Sequence, residues 1–351
     1  MLKRTNSPLV TIFGIFLIIA LIFSCRDKNK NIPDVSDVEI DIKVERFEQD
    51  LFTLDTNDIT AGIAAVNTKY PEFGPIYFNN LLGASDVRIA PEGPDAFIRG
   101  FITDQRIRKL YDTCQVVYND FSELEAEFEQ SMRFYKHYFP EKPTPQLLTF
   151  ISEYFIGALI YGDDKLAVGL DFFLGSDYPY QDINPGNPNF SDYIIKAFNK
   201  DHLVSKTLQV LIDDIVGPPS GQRLLDFMVH NGKKKYILEQ LIPYAPDSVV
   251  FEHSGAQMNW LKDNELDMWA FFVSEDYLYS TRQKDIRKYI EPSPDSPGMP
   301  TGAPGNTATF MGYKIVEAYM NSQSGLRLQD LVAKRDAQAI LTESRYKPRR
   351  N

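Results

Sequence analysis

Residues 146–175 read QLLTFISEYFIGALIYGDDKLAVGLDFFLG, and the fold class turns on them. Three apolar runs, QLLTFIS (146–152), YFIGALIYG (154–162) and KLAVGLDFFLG (165–175), are punctuated by Gly and Asp. Short apolar runs bounded by turn residues read as strands. They predict two or three strands of a small antiparallel sheet in the middle of the chain, with Asp163-Asp164 as a turn. YPYQDINPGNPNF (178–190) then reads as a loop rich in Pro, Asn, Gly and aromatic residues.

The segments on either side follow a helical period. In VERFEQDLFTLD (44–55), Val44, Phe47, Leu51 and Leu54 are three, four and three residues apart. Phe121, Leu124, Phe128, Met132, Tyr135 and Phe139 mark one face of a longer helix, capped by Asp120 or Ser122 and ended by Pro140. Further helices are expected over 201–216, 220–243, 260–272, 307–321 and 328–344, with a Pro/Gly loop at 291–306. Helices, a small sheet and helices again give an α+β fold, mostly helical. No linker divides residues 40–351, which read as a single domain. A degenerate zincin-like arrangement is one form such a fold could take.

The N-terminus sets the compartment. Lys3 and Arg4 precede an apolar run from Leu9 to Phe23, 15 residues long. A membrane-spanning helix needs roughly 20. A basic start, a short apolar run and a small residue before a break describe a signal peptide over 1–24. Ser24-Cys25 resembles a bacterial lipobox, so Cys25 is the expected lipidation site. Residues 25–39, with Arg26 rather than Asp after the cysteine, read as a polar tether.

The chain carries a net charge of −11, and losing Lys3 and Arg4 with the signal peptide leaves −13. That balance argues against nucleic-acid binding, which wants a basic face. Cys114 would be the one cysteine besides Cys25. Among apolar neighbours it reads as a buried free thiol.

Few residues suggest chemistry. In WLKDNELDMW (260–269), a continuous helix puts Leu261, Glu265, Met268 and Trp269 on one face with Phe272. Glu265 is then a carboxylate in an apolar stripe and calls for a partner. The Asn264-Glu265 pair resembles the third-ligand helix of gluzincin metallopeptidases. Those enzymes also need two histidines one turn apart around a Glu. His137, His202, His230 and His253 are the histidines here, and no two lie four apart. After His230, Asn231 and Lys234 occupy the positions of the Glu and the second His. No metal site is therefore expected. Asp213-Asp214 and Lys233-Lys234-Lys235 read as solvated helix faces. The candidate functional cleft lies between the strand-loop carrying Gly169, Asp171, Gly175, Tyr178 and Tyr180 and the helix carrying Trp260, Asn264 and Glu265. Gly169 and Gly175 would allow close backbone approach there.

Several blocks together resemble a known family. They are LAVGLDFFLGSDYPY (166–180), MVHNGKKKYILEQLIP (228–243), WLKDNELDMWAFF (260–272), LYST (278–281), SPGMPTGAPG (296–305) with MGYKIVEAYM (311–320), and SRYKP (344–348). Their order and spacing across 40–350 are similar to the gliding-motility lipoproteins of the GldB type in Bacteroidetes. Phe310 and Leu261 stand where that pattern would have tryptophan and cysteine. The resemblance implies a non-enzymatic envelope lipoprotein, without cofactor or catalytic residues. It would be held to a membrane by its N-terminal lipid and linked to type IX secretion, with other gliding or secretion envelope proteins as partners. Two other readings come from the residues. Glu265 suggests a metal-dependent hydrolase of zincin-like ancestry, and Tyr178 and Tyr180 suggest a glycan- or peptidoglycan-binding module.

Overall fold

Leu147, Leu148, Phe150, Leu166, Ala167 and Val168 are all buried, as a strand pair inside a core requires. The computed structural model describes residues 32–163 and 165–348. The signal peptide, Cys25, the tether up to residue 31 and Asp164 lie outside the described residues. Val35–Asn351 forms one compact unit. Val35, assigned to the tether by composition, is buried in its core.

Four strands form the sheet: β1 (Val44–Arg46), β2 (Gln146–Phe150), β3 (Ala158–Tyr161) and β4 (Lys165–Gly169), in the order β1-β2-β4-β3. The expected antiparallel sheet is instead mixed. β1 pairs parallel with β2 (Val44 with Leu147), β2 pairs parallel with β4 (Leu147 with Leu166), and only β3 and β4 are antiparallel (Leu159 with Ala167). The reason lies in the connections. A tight turn joins β3 to β4 and forces antiparallel pairing, whereas parallel neighbours need a long crossover. Between β1 and β2 that crossover is the whole first helical region. Between β2 and β4 it is the turn at 151–157 together with β3.

Among the described residues, fourteen α-helices have five or more residues. Before β2 run α1 (Phe47–Phe52), α2 (Ile59–Lys69), α3 (Pro94–Thr103), α4 (Gln105–Val117) and α5 (Ser122–Tyr138). After β4 come α6 (Lys200–Val216), α7 (Leu224–Leu241), α8 (Asp247–Phe251), α9 (Gly255–Asp263), α10 (Glu265–Ser274), α11 (Gln283–Ile290), α12 (Thr307–Ser322), α13 (Leu328–Ala333) and α14 (Ala337–Ser344). The α5 face is buried as its spacing predicts, and Asp120 accepts from the Ser122 backbone N–H at 2.9 Å. The helix expected from Val44 begins only at Phe47, because Val44–Arg46 is strand β1. Three residues of edge strand are too few to show an alternation, and Val44 happens to fit the helical spacing.

The expected helix over 260–272 is two helices, α9 and α10, broken at Asn264, whose backbone turns to φ −109°. Leu261, Glu265, Met268 and Phe272 are nevertheless buried together. Likewise 328–344 divides into α13 and α14 at Lys334–Asp336. Helices α7 and α12 pack closely. A Cβ on Gly232 would sit 2.2 Å from the Gly312 carbonyl carbon, so here backbone lies on backbone.

Candidate functional site

The strand-loop residues gather at the end of β4. A Cβ on Gly169 would stand 2.6 Å from the Ile156 carbonyl oxygen, so close backbone approach is real there. Gly175 plays a different part: its φ of +115° makes a turn, and its N–H donates to Phe198 O at 2.9 Å. Asp171 is fully buried, and its Oδ2 accepts from the backbone N–H groups of Ser152 (3.2 Å) and Tyr154 (2.6 Å). Burial pushes its carboxyl up to about 6, although those backbone donors pull the other way.

The two tyrosines face inward. Tyr180 is buried; its hydroxyl accepts from the Leu174 N–H at 2.9 Å and donates to the Asp171 carbonyl at 3.1 Å. Tyr178 pairs its hydroxyl with that of Tyr154 at 2.7 Å. Around them Phe172, Phe190 and Phe198 complete an aromatic cluster.

The second half of the expected cleft has other surroundings. The Trp260 indole N–H donates to Thr301 O at 3.2 Å, and the Asn264 amide donates back to Trp260 O at 2.8 Å. Glu265, 4% exposed, accepts from the Tyr346 hydroxyl at 2.8 Å, while Tyr346 packs edge-on against Trp269. Thus Glu265 fastens the C-terminal segment SRYKP to α10. Tyr346→Phe removes that donor from a buried carboxylate. The expected loss is about 1–3 kcal/mol, read as a lower urea midpoint at unchanged slope. An unchanged midpoint would show that Tyr346 does not tie down the terminus.

A cavity of about 540 Å³ among the described residues is lined by none of these eight residues. It lies between α6, α7, the α8–α9 junction and the loop 291–306 that leads into α12. Its wall carries Lys196, Lys206, Lys234 and Lys235 against Asp213, Glu252 and Glu291. Glu252 ends α8 in the left-handed region (φ +58°). There it pairs with Lys206, with Lys235 at 3.2 Å and with the Gln209 amide at 2.8 Å. Burial pushes the Glu252 carboxyl up, but the two lysines outweigh it and hold the group well below the usual carboxylate range. Burial lowers Lys235, and Glu252 opposes that shift.

The lysine run is therefore not one solvated face. Lys233 is buried and donates to Lys334 O, Lys234 pairs with Asp213 at 3.0 Å, and Lys235 reaches Glu252. Three consecutive helical residues fan over about 200°, which itself argues against a common orientation. Asp213 and Asp214 are exposed, as expected.

The histidines are spread out. His230 lies in a small hollow with Pro218, Lys233 and Arg335, where burial lowers it to about 4. His202 and His253 line the large cavity, and burial lowers both. His253 sits between two carbonyls, Phe251 O at 2.7 Å and Gly305 O at 3.1 Å, and so bridges α8 to the loop before α12. Among the described residues no three His, Cys, Asp or Glu side chains gather as a metal site would need. Cys114 is free and buried, and burial raises its thiol far above the ordinary range. No helix among the described residues is long and apolar enough to cross a membrane.

A family model, gliding motility protein GldB, matches residues 28–348. No curated protein matches the chain, and no solved structure does.

Proposed function

The chain belongs to the GldB gliding motility family, and from that premise we propose that it is a non-enzymatic lipoprotein of the cell envelope. In this reading Cys25 carries the lipid, the folded unit faces the periplasm, and the protein supports gliding through contacts with other gliding or type IX secretion proteins. The observation that carries it is the family match over 28–348. Three features support a role without catalysis. Asp171 Oδ2 is taken by backbone donors, Glu265 accepts from Tyr346, and Asn231 and Lys234 stand where a zinc peptidase would place its Glu and second His.

The test is a deletion strain complemented with the wild-type chain or with Cys25→Ser. Deletion should abolish spreading on agar and lower the secreted protein load. The wild type should restore both, and Cys25→Ser should restore neither. Normal gliding and secretion in the deletion strain would sink the proposal.

A further inference from the structure

The cavity over α6 and α7 has a charge balance unlike that of the whole chain. Four lysines face three carboxylates, one net positive charge, in a protein of net charge −11. Burial lowers the two lining histidines, which favours their neutral form. Two lysines share the single carboxylate of Glu252. The partner of Lys234 is Asp213, whose side chain is 55% exposed, so water screens that pair.

Backbone dipoles act in the same direction. The first turns of α6, α9 and α12 all reach the wall, through His202, through Ser254 and Gln257, and through Asn306 and Thr309. Helix N-termini favour negative charge. Among the described residues no arginine lines the space, and arginine forks are the usual means of holding a phosphate by two bonds. Two lysines and a side-chain amide already hold the Glu252 carboxylate here. A volume of about 540 Å³ falls within the usual range for organic ligands, about 300–1,000 Å³. Ile194, Ala197, Phe251 and Pro292 give part of the wall an apolar surface.

We propose that this cavity binds an organic monocarboxylate, and that its natural form is the free C-terminus of a peptide. The single excess positive charge balances one carboxylate, the lysines and helix ends hold it, and the apolar part of the wall takes the adjoining residues. The inference goes beyond the motility reading and stands or falls separately, since it is tested by binding in vitro.

The experiment is titration calorimetry of the full chain in detergent against N-acetyl-trialanine, its C-terminal amide, octanoate and inorganic phosphate. The free acid should bind, with the amide at least tenfold weaker. Two variants keep the fold while changing the charge. Lys234→Gln removes a surface-screened cation. Gln257→Glu keeps the reciprocal cap with Ser254 but adds a negative charge to the wall. Each should weaken the acid at least tenfold while leaving the unfolding midpoint near that of the wild type. Several outcomes would overturn the proposal: equal binding of acid and amide, tighter binding of phosphate, no binding of the acid, or variants that bind it as the wild type does. Octanoate binding without the peptide acid would overturn the peptide assignment.

Discussion

Gly312→Ala should lower the unfolding free energy by about 3–5 kcal/mol, at or above the upper end of ordinary overpacking. Against a total stability of about 5–15 kcal/mol, Gly312→Val should leave little folded protein. A Cβ at Gly312 would lie 1.7 Å from the Met228 carbonyl oxygen and 2.3 Å from its carbonyl carbon. Both atoms belong to the backbone of α7, so no rotamer change relieves the clash. The helices would have to separate, and α12 buries Phe310, Met311, Ile315 and Val316 while α7 buries Met228, Val229, Ile237 and Leu238. Those contacts would open together. At about 2–4 °C per kcal/mol, Gly312→Ala should melt some 10 °C lower. Gly100→Ala is the matched control: it is exposed in α3, and its Cβ would meet nothing within 4 Å. There the gain in helix propensity should stabilise by up to about 1 kcal/mol. Equal effects at the two glycines would show that α7 and α12 do not meet at backbone distance.

That crossing was not legible in the sequence. Gly232 and Gly312 each sit inside a strong helical pattern, where a glycine reads as a small propensity cost and nothing more. Their meaning depends on two helices some 80 residues apart lying face to face, which no local pattern encodes. What local pattern does encode came through well. The three apolar runs at 146–175 are β2, β3 and β4, the spacing from Phe121 is α5, and the helix expected over 201–216 is α6. Strand direction was not encoded, because it follows from the length and route of the connections. β1 was invisible for a simpler reason: three residues carry no period.

The site was legible in part. Sequence drew attention to Glu265 as an acid in an apolar stripe and placed Asp171 only as a member of the candidate cleft; both are buried with specific donors. The cavity went unread, because it is assembled from a lysine run, a helix C-terminus at Glu252 and two loops. Each of these alone looks like ordinary surface. The one available signal was the lysine run itself, since Val229, Ile237 and Leu238 on the same helix leave no single solvent face wide enough for three consecutive residues.

Asp171→Ala should be among the most damaging changes in the strand-loop, and the pH dependence of Asp171→Asn should show why. The turn after β2 holds Glu153 and Tyr154 at φ +55° and +63°, two successive residues in a region that side chains disfavour. What holds them there is Asp171 Oδ2, which accepts the N–H groups of Ser152 and Tyr154. Alanine would leave both donors unsatisfied inside the protein and free the turn to relax, for a loss of about 2–5 kcal/mol. Asparagine keeps an acceptor but carries no charge, and charge is the costly feature of this site. The second carboxylate oxygen, Oδ1, is buried without a hydrogen-bond partner, and burial raises the folded carboxyl to about 6 against an ordinary value of 3.8. The folded state therefore holds this proton more tightly than the unfolded chain does. Asp171 favours folding fully below about pH 4, and that contribution, about 3 kcal/mol, is lost as pH rises through about 6. Asparagine cannot lose it. Urea unfolding of both proteins at pH 4, 5, 6 and 7 should show the stability of Asp171→Asn rising relative to wild type by that amount across the window, whatever fixed offset the amide introduces. Parallel curves would mean that the buried carboxyl keeps an ordinary pKa, with donors that compensate its charge in full.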